Sequence, residues 1–396
     1  MKRWPTKPLG EVLEISRERI EPAKHPDTLF NYVGLEAIEG HTGGLLPYRP
    51  TRGAEIRSTK NLFHRGEILY GKLRPYLNKV HLAVNEGICS TDIYVLRPRE
   101  RRIHPPFAAN YLRSPTVLSA VTAAMAGANL PRIGQETFLG IFVPLPPLAE
   151  QERIAKLLDE ADGLRKLRAQ ADRRTANLIP ALFHEMFGDP THIEKMHWSF
   201  KRFGEFAKIS YGLADKLDAT TVSENGTRIL TISNVQKDGS IDTKVEKYSV
   251  APQNERAKAQ LQKFDLLFNW RNGSEEHVGK TAIWEDQFQG EVLHVSFLLK
   301  IRADQNQTNP YFLWILINRL RATGYFTRNA RMQINRKFNA TELSALKLPL
   351  PPLPLQNIFA RRVSEIRQME TTQATSRARL DALFQSMLHR AFNGEL

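Results

Sequence analysis

Apolar positions follow two different periods along this chain, and the periods alternate twice. Short β-like runs at 67–70 and 92–96 are separated by Gly, Asn and Pro turns, the pattern of a mixed α/β globule. After Leu148 the period changes: Ile154, Leu157, Ala161, Leu164, Ala171, Leu178 and Leu182 recur at spacings of three, four or seven. This is a heptad seam, flanked by Lys156, Asp159, Glu160, Arg165 and Lys166. Glu150 and Glu152 lie in the first turn, where carboxylates favour the positive end of the helix dipole. A helix over 149–187 would span roughly 58 Å at 1.5 Å per residue, with a kink expected at Pro180. The β-like pattern then returns at 265–268 and 294–301, and a second seam follows at Val363, Ile366, Leu380, Phe384 and Met387. Glu370, Gln373 and Arg377 fall in phase with it and weaken its middle. Helices this long cannot bury a stripe alone, so the two are expected to pair antiparallel as a coiled coil.

The alternation reflects an internal repeat. Trp4, Lys7, Gly10, Glu11, Ile15 and Ser16 recur 194 positions on as Trp198, Lys201, Gly204, Glu205, Ile209 and Ser210. Pro144-Leu145-Pro146-Pro147-Leu148 returns as Pro349-Leu350-Pro351-Pro352-Leu353, with Gln151 and Ala155 matching Gln356 and Ala360, now at an offset of 205. Ala181-Leu182-Phe183 and Met186 match Ala382-Leu383-Phe384 and Met387 at 201, which predicts a second helix about one turn shorter. The proline-rich tract cannot be helical inside itself and so marks a stiff connector from globule to helix. Four segments result: globules at 1–147 and 191–352, and helices at 148–190 and 353–396.

The 396 residues include 56 Lys and Arg against 42 Asp and Glu, a net charge of +14 that points to a polyanionic partner. The single cysteine, Cys89, rules out an internal disulfide framework and suits the cytoplasm. No apolar leader opens the chain, and its longest apolar run, 312–317, is too short for a membrane span, so a soluble protein without a membrane partner is expected.

Charge is concentrated in windows. Residues 42–85 hold Arg49, Arg52, Arg57, Lys60, Arg65, Lys72, Arg74 and Lys79 against Glu55 and Glu67, and 305–341 holds Arg319, Arg321, Arg328, Arg331, Arg336 and Lys337 with no acid. Arg101, Arg102, Arg113 and Arg132 form a thinner third group. Such windows suit phosphate contacts. Tyr76, Asn78, Asn269, Asn272, Asn329, Gln333 and Asn335, with Arg271 and Lys280 beside them, are residue types able to hydrogen-bond base edges. A solvated loop or a turn former is the alternative for each of them.

Catalytic signatures fall short. Gly279-Lys280-Thr281 ends like a phosphate-binding loop, but Gly273 precedes Gly279 by six positions where five are required, so a turn between strands is expected there. Asn309-Pro310-Tyr311 lacks the second proline of an amino-methyltransferase tetrapeptide and is read as the start of a helix. The 11 histidines show no metal-ligand spacing, so no catalytic or metal site is assigned.

The tract Val143-Pro144-Leu145-Pro146-Pro147-Leu148-Ala149-Glu150-Gln151-Glu152-Arg153-Ile154-Ala155 resembles the central conserved region of type I restriction-modification specificity subunits, where a target-recognition domain passes into a spacer helix. Gly66-Glu67-Ile68-Leu69-Tyr70-Gly71-Lys72-Leu73-Arg74-Pro75-Tyr76 is similar to the motif such domains carry ahead of their DNA-facing loops. The counterpart is Phe264-Asp265-Leu266-Leu267-Phe268 with Arg271-Asn272-Gly273-Ser274. One departure is that the distal copy, Pro354-Leu355-Gln356, lacks the Glu that precedes Gln151. The resemblance covers essentially the whole chain. It implies an α+β fold of two tandem target-recognition domains, related by a pseudo-two-fold axis and joined by an antiparallel helix pair. It implies double-stranded DNA as ligand, read as an asymmetric bipartite target with a fixed gap. It also implies two modification subunits and the restriction subunits as partners, docked through Glu150, Gln151 and Gln356. S-adenosylmethionine, ATP and Mg2+ would sit on those partners, with no cofactor on this chain. The rival reading is a coiled-coil scaffold whose basic loops bind protein or RNA.

Overall fold

The computed structural model describes residues 4–99, 102–125, 129–214, 226–271, 274, 277–329 and 338–396. They form two compact units, Met1–Gln170 with Ala374–Leu396, and Ala171–Gln373. Both boundaries fall inside the long helices, so each unit holds one globule, the head of its own helix and the tail of the other repeat's helix.

The repeat in sequence is a repeat in topology. The first unit builds an antiparallel sheet from β1 (Leu13–Ile15), β2 (Ile68–Gly71), β3 (Val80–Leu82) and β4 (Ile93–Pro98), in the order β1-β4-β2-β3. The second unit uses β5 (Ala207–Tyr211), β6 (Leu266–Asn269), β7 (Thr281–Ile283) and β8 (Leu298–Ala303) in the matching order β5-β8-β6-β7. Each unit carries a second sheet with one parallel pair, Tyr32–Val33 with Gly87–Cys89 and Thr227–Leu230 with Val292–His294. The expected run at 294–301 is therefore two strands in different sheets, separated by a turn in which the Leu298 amide donates to the Val295 carbonyl at 3.0 Å. A mostly apolar run hides such a turn, because the residues from Val292 to His294 and from Leu298 to Ile301 are all buried.

The two best-conserved parts of the repeat turn out to be partners. Thr6–Pro8 pairs antiparallel with Phe142–Pro144, and Phe200–Arg202 pairs with Lys347–Pro349. The proline-rich tract thus begins as a strand that closes the globule against its own leading segment. Prolines are tolerated there because the ladder is only two strands wide.

The helices follow from capping and proline chemistry. In the first unit α1 (Pro105–Leu112) starts on a proline pair, and α2 (Leu148–Ala176) begins after Pro147. The expected 149–187 helix breaks at Asn177, and α3 (Leu178–Phe187) resumes at once. Pro180 causes this break, because its ring clashes with the carbonyl of Ala176 four residues upstream and it offers no amide to it. The second unit adds α4 (Gln253–Ala259) and α5 (Pro310–Ala322). Asn309 caps α5 by accepting the Tyr311 amide at 3.0 Å, as the Asn-Pro signal predicts. The distal helix α6 (Leu353–Phe392) runs 40 residues unbroken. It is not a turn shorter than the first, since after Pro354 it contains no proline and it continues past the shared Ala-Leu-Phe motif.

Within each unit the helix segments run antiparallel. In the first, the Arg165 Nε donates to Asp381 Oδ1 at 2.7 Å, and the guanidinium lies 4.5 Å from the Phe384 ring centre. In the second, Gln373 Nε2 donates to Thr175 Oγ1 at 3.0 Å, and Phe183 and Phe187 pack edge-on against Phe359. The buried stripe is displaced from the expected seam. Ile154, Ala155, Leu158, Phe183 and Phe187 are buried, whereas Leu164 and Leu178 are 54% and 42% exposed. The centre of the true stripe is polar, with Asp162 buried between Arg165 and Lys166 at 3.1 and 2.8 Å, so leucine periodicity alone misplaces it.

Candidate nucleic-acid interface

Two side chains that close each globule recur between the units. Glu67 and Asp265 stand just before β2 and β6, are buried, and accept the backbone amide three residues back, His64 and Gln262, each at 2.7 Å. Each also accepts an arginine from the neighbouring strand, Arg97 Nε at 2.5 Å and Arg302 Nε at 2.7 Å. Lys79 and Lys280 are likewise equivalent: the first donates to the Leu35 carbonyl and the second to the Val235 carbonyl, both at 2.7 Å. These two lysines clamp a crossing loop; Lys280 is buried there, against the expectation that it contacts DNA, while Lys79 stays half-buried. Thr281 opens β7, so Gly279-Lys280-Thr281 is the expected inter-strand turn.

Other expected contacts are corrected by burial. Lys60 is buried, donating to Ser58 Oγ at 2.5 Å, with its ammonium 5.3 Å from the Tyr32 ring centre. Asn78 is buried in a left-handed turn with its amide nitrogen on the Arg113 carbonyl at 2.9 Å, a bond within the fold. Asn269 is wholly buried at the end of β6. Of the thinner group, Arg113 donates to the Thr42 carbonyl and Arg132 pairs with Asp92 at 3.4 Å, Arg102 is exposed, and Arg101 lies outside the described residues.

What remains accessible is a loop surface. Arg49, Arg52 and Arg57 are exposed along one segment of the first unit. Arg74 is exposed and opens the turn between β2 and β3 in a left-handed conformation, φ 49°, closed by Asn78 at φ 48°. A left-handed conformation costs a non-glycine residue about 1–2 kcal/mol. Here the Arg74 amide donates to Pro131 O at 2.7 Å and the Leu77 amide to Arg74 O at 2.9 Å, which hold it. Tyr76 follows, 42% exposed, and Lys72 is half-buried 5.2 Å from the Tyr94 ring centre. In the second unit the corresponding connection begins at Trp270, whose indole donates to the Ser296 carbonyl at 2.7 Å. Arg271 stacks 5.4 Å from the Phe297 ring centre, and Arg328 is exposed with one nitrogen on the Thr323 carbonyl at 2.5 Å. Asn272, Arg331, Gln333, Asn335, Arg336 and Lys337 lie outside the described residues, as does the Asn329 side chain.

The helix heads carry a feature whose role differs from expectation. Gln151 and Gln356 are 1% and 0% exposed. Gln151 accepts the His104 amide at 2.8 Å and donates to Pro146 O at 2.8 Å. Gln356 accepts the Asn309 amide at 2.9 Å and the Thr308 hydroxyl at 3.0 Å, and donates to Pro351 O at 2.7 Å. Both glutamines pin the helix head to the start of the globule's own helix, α1 or α5, so they are internal clamps and not docking side chains. Glu150 is half-buried against Arg153, at 2.7 and 2.8 Å. The large apolar side chains left exposed on the long helices are Leu148, Leu164, Leu167 and Leu383 in the first unit and Leu178, Ile358 and Met369 in the second.

The model of the type I restriction modification DNA specificity domain matches this chain twice, over residues 1–171 and 195–381. The chain belongs to that family. This specificity chain is 28% identical over 319 residues to the EcoKI specificity subunit of Escherichia coli strain K12, covering 76% of this chain and 68% of that one. It is 30% identical over 188 residues to the EcoDI specificity subunit of Escherichia coli, there spanning 46% of this chain and only 41% of the relative. Among solved structures it resembles one described as the structural basis underlying complex assembly and conformational transition of the type I R-M system, with TM-score 0.63, 23% identity, and 99% and 98% of the two chains covered. The type I S subunit of M. genitalium gives TM-score 0.58 at 14% identity, covering 98% of this chain and 96% of that one. These likenesses bear out the α+β fold with its two repeated domains and long helices. No helix among the described residues is long and apolar enough to cross a membrane.

Proposed function

We propose that this specificity chain reads double-stranded DNA for a type I restriction-modification complex and contributes no catalysis itself. Each unit reads one half of an asymmetric, bipartite target, and the unread gap between the halves depends on helix length. The observation that supports this best is a duplicated scaffold with unlike connecting loops. Glu67 and Asp265, Lys79 and Lys280, and Gln151 and Gln356 keep the same structural bonds. The turns they frame are Leu73-Arg74-Pro75-Tyr76 in one unit and a connection opening on Trp270-Arg271 in the other. Exposed apolar residues on otherwise polar helices mark interaction surfaces. Leu164, Leu167 and Leu383 in one unit, and Leu178 and Met369 in the other, support docking of two modification subunits. Those subunits would carry S-adenosylmethionine for adenine methylation, and restriction subunits would supply ATP and Mg2+ chemistry.

Methylation mapping of the host genome should return one split motif with a constant gap. In competition binding, the complex of this chain with its modification partner should prefer that motif over a scrambled duplex by about 10³-fold or more. Equal competition by any duplex, or by RNA, would refute the reading. Arg74→Ala and Arg271→Ala should each cost about 1–3 kcal/mol at one position of the motif if the arginine reads a base. Uniform loss across sequences would reduce that arginine to a phosphate contact. Deleting one heptad within α2 should change the gap length that is bound, and an unaltered gap would overturn the dependence on helix length.

A further inference from the structure

Lys208, Lys258, Lys300 and Arg302 converge in the second unit, lining with Ser210 and Ala257 a recess of about 390 Å³. Strand alternation puts them there. Lys208 faces Arg302 and Ser210 faces Lys300 across the β5–β8 ladder, while Ile209 and Ile301 turn to the core. The end of α4 supplies Ala257 and Lys258.

The recess holds more positive charge than the fold neutralises. Arg302 is matched by fully buried Asp265, with a second bond at 2.6 Å, and Lys258 by Glu255 at 3.1 Å. Among the described residues, no carboxylate pairs with Lys208 or Lys300. The Lys300 ammonium donates to the carbonyls of Lys258 and Gln260 at 2.7 and 2.8 Å, which uses two of its three N–H groups. The first unit shows that this sheet does not require such charge. Glu14 stands across from Arg97 there, Val95 occupies the place of Lys300, and Arg97 is claimed by Glu67 and Glu18.

We propose that this recess is an anion site that takes a phosphate group and belongs to the second repeat alone. A phosphate oxygen would satisfy the third Lys300 donor, the Lys208 ammonium and the Ser210 hydroxyl together. Burial also pulls the Lys300 ammonium down to about 8, and a bound anion would oppose that shift. The phosphate comes either from a DNA backbone, an arm that rests on the DNA-reading role proposed above, or from a free phosphorylated molecule.

The test uses the full chain with Lys208→Glu, which installs the residue of the first repeat at an exposed position, and Lys258→Gln. Lys300→Gln is set aside, because it would also uncap α4. Inorganic phosphate titrated by calorimetry at constant ionic strength should bind wild type saturably and Lys208→Glu about tenfold more weakly. Separately, the slope of DNA affinity against salt should fall by about 1 in Lys208→Glu if a backbone phosphate occupies the recess. Loss of phosphate binding with an unchanged slope identifies a free ligand, and a changed slope without phosphate binding identifies DNA. If both variants match wild type in both measurements, the site is refuted. If wild type binds phosphate but no DNA, the reading role fails and the site stands.

Discussion

Gln356→Ala is expected to destabilise the second unit by about 3–5 kcal/mol, a large share of a domain's net stability. The side chain is wholly buried and satisfies the Asn309 amide, the Thr308 hydroxyl and the Pro351 carbonyl at once. Truncation leaves those groups buried without partners, at about 1–3 kcal/mol each. Gln356→Glu should do no better, since it sets a carboxylate against the Pro351 carbonyl and removes the donor. Four of the five tryptophans, Trp198, Trp270, Trp284 and Trp314, lie in the second unit, so intrinsic fluorescence during urea unfolding reports mainly on it. A midpoint shift worth less than about 1 kcal/mol in both variants would sink the clamp. Gln151→Ala should damage the first unit comparably, with little change in that fluorescence.

Acid should weaken the second unit through His294. This side chain is fully buried, and burial holds its imidazole down to about 3. One ring nitrogen, Nδ1, lies 2.7 Å from the Ala259 carbonyl at the end of α4, and a neutral ring with its proton there donates to it. The unfolded chain binds a proton near pH 6.5 while the folded chain stays neutral to about pH 3. The contribution is therefore intact above pH 6.5 and declines as pH falls below it, by about 1.4 kcal/mol per unit. The expected cost is about 2 kcal/mol at pH 5. His294→Asn keeps a donor without titrating, so it should be weaker than wild type at pH 7 yet lose about 2 kcal/mol less between pH 7 and 5. Identical pH dependence in urea unfolding would exclude His294 as the cause.

The candidate surface was only partly legible. Arg49, Arg52, Arg57, Arg74 and Tyr76 are as accessible as a reader must be, but Lys60, Asn78 and Lys280 are buried and bonded to the fold, Lys79 is half-buried on a carbonyl, and Asn269 is buried at a strand end. Composition cannot separate the two groups, because an ammonium or amide that serves a buried carbonyl has the same chemistry as one that serves a phosphate. The repeat did contain a signal: Lys79 and Lys280 recur at an offset of 201, and Gln151 and Gln356 at 205. Positions shared by the two copies are expected to serve the scaffold, while unlike positions are free to serve recognition.

By itself, the sequence determined the duplication, the switch from two-residue to heptad period, the helix starts after the proline tracts and at Asn309, and the family. These are local or self-referential properties, set by backbone propensity, capping and identity at a fixed offset. Tertiary structure alone decided which face of each helix is buried, that 294–301 divides between two sheets, and that the proline tract closes its globule as a strand. It also decided that Lys208, Lys258, Lys300 and Arg302, spread over 95 positions, line one recess. Each of these depends on what lies opposite a residue in space, which no spacing along the chain encodes.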